Sequence, residues 1–180
     1  MAPNWFIGFP MQVEGLHLPP APRRVRVFAA ADLHITLGFL GSVQEPDARR
    51  AWAQIGSFQS FRPVTGSFEG VRALGHPRTP SALAAMVDEG RDAMAEMIVE
   101  AKGPLLEAAD APPDDRAPLP HMTLARIQRR ARGAERREAL RWAETIDLRG
   151  IRFAAASVAL YSWATDRQER LFRIVEQHSL

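Results

Sequence analysis

The string His-x-Thr-Leu occurs twice, as His34-Ile35-Thr36-Leu37 in ADLHITLGFL and as His121-Met122-Thr123-Leu124 in APLPHMTLARI. The copies stand 87 residues apart in a chain of 180. Each lies in a short apolar run that reads as a strand. After each come a polar turn, a helical pattern (ARRAWAQI, then ERREALRWAETI) and a β-like segment. Val71 and Val158 each fall 37 residues past the histidine of their copy. This shared order points to an internal duplication. Two related lobes about a pseudo-two-fold axis are expected to bring equivalent strands face to face.

Side chains alternate faces along a strand. His34 and Thr36 therefore share one face, with Ile35, Leu37 and Phe39 opposite. His121 and Thr123 likewise share a face, with Met122 and Leu124 opposite. Two such strands can line one cleft with two imidazoles and two hydroxyls. Imidazole titrates near neutral pH, so one ring can take a proton while the other gives one. Threonine hydroxyls can donate to nonbridging phosphate oxygens, the electrostatic part of such catalysis. The set describes metal-free phosphodiester cleavage and lacks the carboxylate cluster of a two-metal nuclease. Its near-symmetry leaves the acid and base roles nearly interchangeable; on the sequence alone His121 is taken as the base and His34 as the acid.

Composition narrows the setting. Hydrophobic residues make up 46% and charged residues 24%, ordinary for a globular protein. The absence of cysteine removes disulfides, thiolate zinc sites and thiol catalysis. No apolar run reaches the roughly 18 residues of a membrane span, and the first residues do not read as a signal peptide, so a cytoplasmic location away from membranes is expected. The net charge is only +2, but nearly all the basic side chains are arginine, Lys102 being the one lysine. Arginine suits phosphate. No dense basic tail signals duplex binding.

Along the chain, Asn4–Met11, Arg24–Phe28, Leu33–Leu40 and Arg62–Leu74 read as strands. Pro46–Phe58 reads as a helix begun by Pro46, and GHPRTP as a turn. Ser81–Val87 is ambiguous because alanine dominates it. Arg91–Ala109 is helical, with Gly103-Pro104 expected to kink or divide it. APPDDRAPLP is a loop, Pro120–Ile127 a strand, Glu135–Ile146 a helix, Ile151–Trp163 one long strand and Arg170–Val175 a last one. This alternation gives an α/β or α+β class.

LHITLGFLG and PHMTLARI together resemble the signature of the two-histidine phosphoesterase superfamily. The nearest likeness is to bacterial 2′–5′ RNA ligase-like proteins, also called RNA 2′,3′-cyclic phosphodiesterases. It extends over nearly the whole chain. NWFIGF resembles the family's opening strand, Pro120–Arg126 its second motif at every specified position, and ASVALYSW and RLFRIV its terminal β elements. Asn4 and Trp5 stand where the family often has arginine, and the Pro-rich segment before the first motif is short.

The resemblance implies an α+β fold in two pseudo-two-fold lobes. Antiparallel sheets would line a central cleft, with helices outside. It implies one two-lobed domain over residues 1–180, with motif copies at 33–41 and 120–127. His34 and His121 would be the catalytic pair, with Thr36, Thr123 and Arg126 binding the substrate phosphate. Alternation puts Arg126 on the wrong face, so a bulge or twist must bring it in. Phe39 occupies the matching place in the first copy, where it can stack a base or pack, and packing is the expectation.

The implied activity is hydrolysis of 2′,3′-cyclic phosphate ends of RNA or nucleotides to 2′-phosphates, with 2′–5′ RNA ligation as a related activity. No cofactor or metal is expected, and the protein is expected to be a monomer. Three alternatives use the same residues: a 2′–5′ oligonucleotide phosphodiesterase, a cyclic ADP-ribose phosphate hydrolase, and an RNA-end or nucleotide-binding module that does not turn over.

Other residues carry weaker signals. Trp5, Tyr161 and Trp163 are candidates to stack a base. Arg129, Arg130 and Arg132 are candidates to guide an RNA backbone. Trp52 and Trp142 read as core. His17, His76 and His178 lack metal-ligand spacing and read as solvent-facing, as does Asp114-Asp115.

Overall fold

The apolar aromatic run after Asn4 forms the first strand, β1 (Trp5–Pro10), in a computed structural model that describes residues 3–180. Two short strands follow, β2 (Gln12–Val13) and β3 (Val25–Val27), and then β4 (His34–Gly41). Helix α1 (Glu45–Trp52) leads to the long strand β5 (Val64–His76) and to β6 (Thr79–Val87). Next come α2 (Arg91–Ala108), β7 (His121–Ile127) and α3 (Gly133–Glu144). The chain ends with β8 (Arg152–Ala155), β9 (Ser157–Trp163) and β10 (Phe172–Ser179).

Antiparallel pairing sets the order β10-β9-β1-β4-β7-β6-β5-β8-β2, with β3 alongside β7. The order is palindromic about the β4–β7 junction. β4 is flanked by β1 and then β9; β7 is flanked by β6 and then β5. In the chain, however, β5 follows β4, and β9 follows β7. The third strand of each half therefore crosses over to the other half. Val71 lies on β5 and Val158 on β9, so their equal spacing marks topologically equivalent strands.

The two motif strands lie side by side, not face to face as expected. They meet through one pair, Ile35↔Met122. Beyond it they splay, and β7 continues along β3 through Val27↔Ala125 and Val25↔Ile127. That divergence opens the cleft. Ile35, Leu37, Met122 and Leu124 are all buried in the core on the opposite face.

Several local expectations change. Helix α2 runs unbroken through Gly103-Pro104. Both residues face solvent, while Met94, Met97, Ile98, Leu105 and Leu106 are buried on either side of them. Each such side chain contributes roughly 1.5–3 kcal/mol, against about 3 kcal/mol for an interior proline, so packing wins. The alanine-rich Ser81–Val87 is strand, because small side chains fit a ribbon covered by β5 and β7. GHPRTP is mostly strand, with only Pro77 and Arg78 outside β5 and β6. The segment expected as one strand, Ile151–Trp163, breaks at Ala156 into β8 on β5 and β9 on β1. The first expected helix also stops at Trp52, followed by a separate turn of 3-10 helix at Ile55–Ser57.

Candidate active site

Both motif strands carry a β-bulge at the leucine of His-x-Thr-Leu. Along β1, Gly8 pairs with Thr36 and Ile7 with Gly38, leaving Leu37 as the extra residue. Along β6, Ala84 pairs with Thr123 and Leu83 with Ala125, leaving Leu124 extra. A bulge shifts the alternation by one. Leu37 and Gly38 are consequently both buried, as are Leu124 and Ala125. The next residue of each strand, Phe39 or Arg126, then turns to the cleft. Arg126 thus joins His121 and Thr123, as the expected bulge requires. Phe39 corrects the expectation of packing: it is 54% exposed and lines the same cavity. Gly8 permits the first bulge, since a Cβ there would stand 2.7 Å from the Ile35 carbonyl oxygen.

The cavity has a volume of about 760 Å³ and holds His34, Thr36, His121, Thr123 and Arg126 together. One residue either side of Ile35↔Met122, the antiparallel register sets His34 against Thr123 and Thr36 against His121. Each imidazole is fixed in the same way. His34 Nδ1 lies 2.6 Å from the Asp32 carbonyl oxygen, and His121 Nδ1 lies 2.6 Å from that of Leu119. A carbonyl only accepts, so Nδ1 carries the hydrogen in both rings. Nε2 is left to accept a proton, or to donate one when the ring is charged. Neither threonine hydroxyl has a protein partner among the described residues, which leaves both available to a ligand.

The surroundings of the two rings differ. His34 is 9% exposed and packs against Phe6, Tyr161 and Phe172, with ring centroids 4.6, 5.3 and 5.4 Å away. Burial pushes it down to about 4, helped by the charges of His121 and Arg126 and opposed by Asp32. His121 is less enclosed; burial and Arg126 also push it below its ordinary value.

Asp32, a residue that strand periodicity does not single out, is 1% exposed. Its carboxyl oxygens accept from Leu171 N, at 3.0 and 2.8 Å, and from Phe172 N, at 3.0 Å. The same residue therefore orients His34 through its carbonyl and anchors the start of β10 through its side chain. The one signal in the sequence is an acidic residue two places before the motif histidine.

Of the aromatic candidates, Trp5 and Tyr161 are buried, at 3% and 1% exposure. Trp163 lines the cavity, with the Arg167 guanidinium 4.4 Å above its ring. Arg129 lines the cavity too, whereas Arg130 and Arg132 are exposed outside it. Trp142 is core, and Trp52 packs partly buried against the core. His17, His76 and His178 are exposed. Among the described residues, no three histidine or carboxylate side chains converge as a metal site would require. No helix there is long and apolar enough to cross a membrane.

Comparison with solved structures finds the same fold. The structure of E. coli LigT complexed with 3′-AMP matches with a TM-score of 0.66 at 16% identity, covering 100% of this chain and 99% of that one. A crystal structure described only as a phosphoesterase matches at 0.65 and 17% identity, with the same coverages. TT0787 of Thermus thermophilus matches at 0.62 and 19% identity, covering 98% of this chain and 97% of its own. No curated protein sequence matches significantly. The family model for the 2′-5′ RNA ligase superfamily matches residues 13–167. The chain belongs to the 2′-5′ RNA ligase superfamily.

Proposed function

We propose that the protein is an RNA 2′,3′-cyclic phosphodiesterase that hydrolyses cyclic ends to 2′-phosphates with His34 and His121 as its catalytic pair. Membership of the superfamily makes it a phosphodiesterase-type enzyme; the cyclic RNA end is the finer reading. One observation carries it: two imidazoles in one cavity, each held through Nδ1 by a carbonyl two residues before it. That arrangement leaves two Nε2 atoms free beside two unpaired hydroxyls and a guanidinium.

The chemistry follows from these groups. One Nε2 takes a proton from water as the water oxygen bonds to phosphorus. The other imidazolium gives its proton to the 3′-oxygen as the P–O3′ bond breaks, leaving the phosphate on the 2′-oxygen. Thr36, Thr123 and Arg126 donate to the nonbridging oxygens as charge builds on them. Burial favours the reverse of the roles taken from the sequence. His34, held neutral, suits the base; His121, nearer solvent, keeps its proton to higher pH and suits the acid.

LigT, a structural relative, is described with 3′-AMP, ATP, NADP+ and phosphate bound, which supports a nucleotide ligand here. The test is hydrolysis of nucleoside 2′,3′-cyclic phosphates in excess chelator. The 2′-phosphate should be the product, and His34→Ala and His121→Ala should each lower kcat by about 10²-fold or more. Undiminished turnover in either variant defeats the reading.

A further inference from the structure

The cleft holds more positive charge than one phosphodiester needs. Five arginines line it, at positions 26, 126, 129, 136 and 167, and no aspartate or glutamate does. Elsewhere arginines are neutralised by neighbours, as in Arg49–Glu45, Arg62–Glu96 and Arg152–Glu89. None of the five in the cleft has such a partner among the described residues. Arg126 stands beside the two histidines. Arg26 donates to the Arg167 carbonyl, and Arg167 lies over Trp163, so both are engaged at the aromatic end.

That leaves Arg129 and Arg136 at the opposite end, with the hydroxyls of Ser81 and Thr79. Arg136 is held in place there by donating to the Pro80 carbonyl at 2.9 Å. The pairings Met86↔His121 and Ala84↔Thr123 put Ser81 five residues along β6 from the level of His121 and three, roughly 10 Å, from that of Thr123, whose hydroxyl faces the reacting phosphate. A nucleoside phosphorylated on both sides of its sugar spans such a distance, with arginine arms closing the remainder.

From this we infer that Ser81, Thr79, Arg129 and Arg136 form a second phosphate subsite, which takes the phosphate on the 5′ side of the terminal nucleoside. The inference rests on the reading of His34 and His121 as the reacting centre, and it deepens that reading. The substrate class becomes a nucleotide carrying at least one phosphate beyond the one cleaved. That phosphate is either a 5′-monophosphate or the next backbone link of an RNA.

The test measures binding separately from turnover. Calorimetry compares adenosine 3′-monophosphate, adenosine 3′,5′-bisphosphate and a dinucleotide 3′-phosphate. The bisphosphate should bind about tenfold or more tightly than the monophosphate at about 0.15 M salt, and the gap should narrow as salt rises. Arg129→Gln, which removes an exposed side chain with no protein partner among the described residues, should shrink the gap severalfold. Ser81→Ala and Arg136→Gln should do the same. A dinucleotide matching the bisphosphate identifies a backbone phosphate as the natural occupant; a weaker one identifies a 5′-monophosphate. Equal affinities for mono- and bisphosphate, or a gap that survives all three substitutions, overturns the subsite. Turnover of cyclic phosphates is scored apart, and its absence would count against the histidine reading while the binding ratio still judges the subsite.

Discussion

Leu37 and Leu124 are the unpaired residues of matching β-bulges, each three positions after a cleft histidine. Neither touches the cleft, yet both decide what does, because each shifts its strand's alternation by one and turns the residue two places on toward the histidines. In one half that residue is Arg126, in the other Phe39. Arg126→Ala should therefore cost about 10²-fold in kcat/KM, the scale of losing one preorganised donor. Arg126→Lys should recover only part of it, since an ammonium lacks the planar fork. Steady-state kinetics on a nucleoside 2′,3′-cyclic phosphate checks this, and full recovery by lysine would argue for a bare charge effect.

The two histidines predict the pH dependence. In the free enzyme His34 titrates near 4 and His121 below its ordinary 6.5. The profile of kcat/KM should be bell-shaped, rising near pH 4 and falling before pH 6.5. Bound phosphate raises both values, so the kcat profile should lie at higher pH. The bell alone does not tell acid from base. An aryl phosphodiester does, because its leaving group needs no proton. His121→Ala should lose far less activity on it than His34→Ala does, and the reverse pattern would exchange the roles.

His34 also links stability to pH. Its folded value near 4 lies below the unfolded 6.5, so between these limits the unfolded chain binds more protons. Stability should be fully present above pH 6.5, fall by about 3 kcal/mol as pH drops to 4, and level off below. In His34→Gln this component should vanish. Urea melts at closely spaced pH steps measure the difference, and identical slopes in the two proteins would contradict it.

Asp32→Ala should remove the acceptor for two backbone N–H groups at Leu171 and Phe172 and cost about 3 kcal/mol. It should also loosen the Ala164–Leu171 turn that carries Arg167. Hydrogen exchange across that turn should quicken more than across β7. A uniform change would mean that Asp32 only stabilises the fold.

Much of the fold was legible because apolar runs and the doubled motif report strand identity directly. Four candidate site residues, His34, Thr36, His121 and Thr123, are legible for the same reason; Arg126 rests on the family resemblance, and simple alternation puts it on the wrong face. Phe39 reads as a packing residue only while the first copy is taken as a regular strand; a bulge at Leu37 turns it to the cleft. The partner strand, not the bulged strand, reveals it: Gly8 is the sequence trace. Pro104 and the alanine run of β6 were unclear because tertiary burial, absent from local pattern, decided both. Asp32 escaped notice because its partners at Leu171 and Phe172 lie about 140 positions away in sequence.

The crossing of β5 and β9 between halves bears on how the molecule forms. β1 cannot acquire β9 until a loop of some 150 residues has closed, since Phe6 pairs with Tyr161. Such distant pairing is slow to reach and late to form. The wall behind His34, built from Phe6, Tyr161 and Phe172, should thus be among the last parts to assemble. A chain paused before β9 would carry both motifs with His34 still unenclosed, so competence for chemistry arrives only with the final strands.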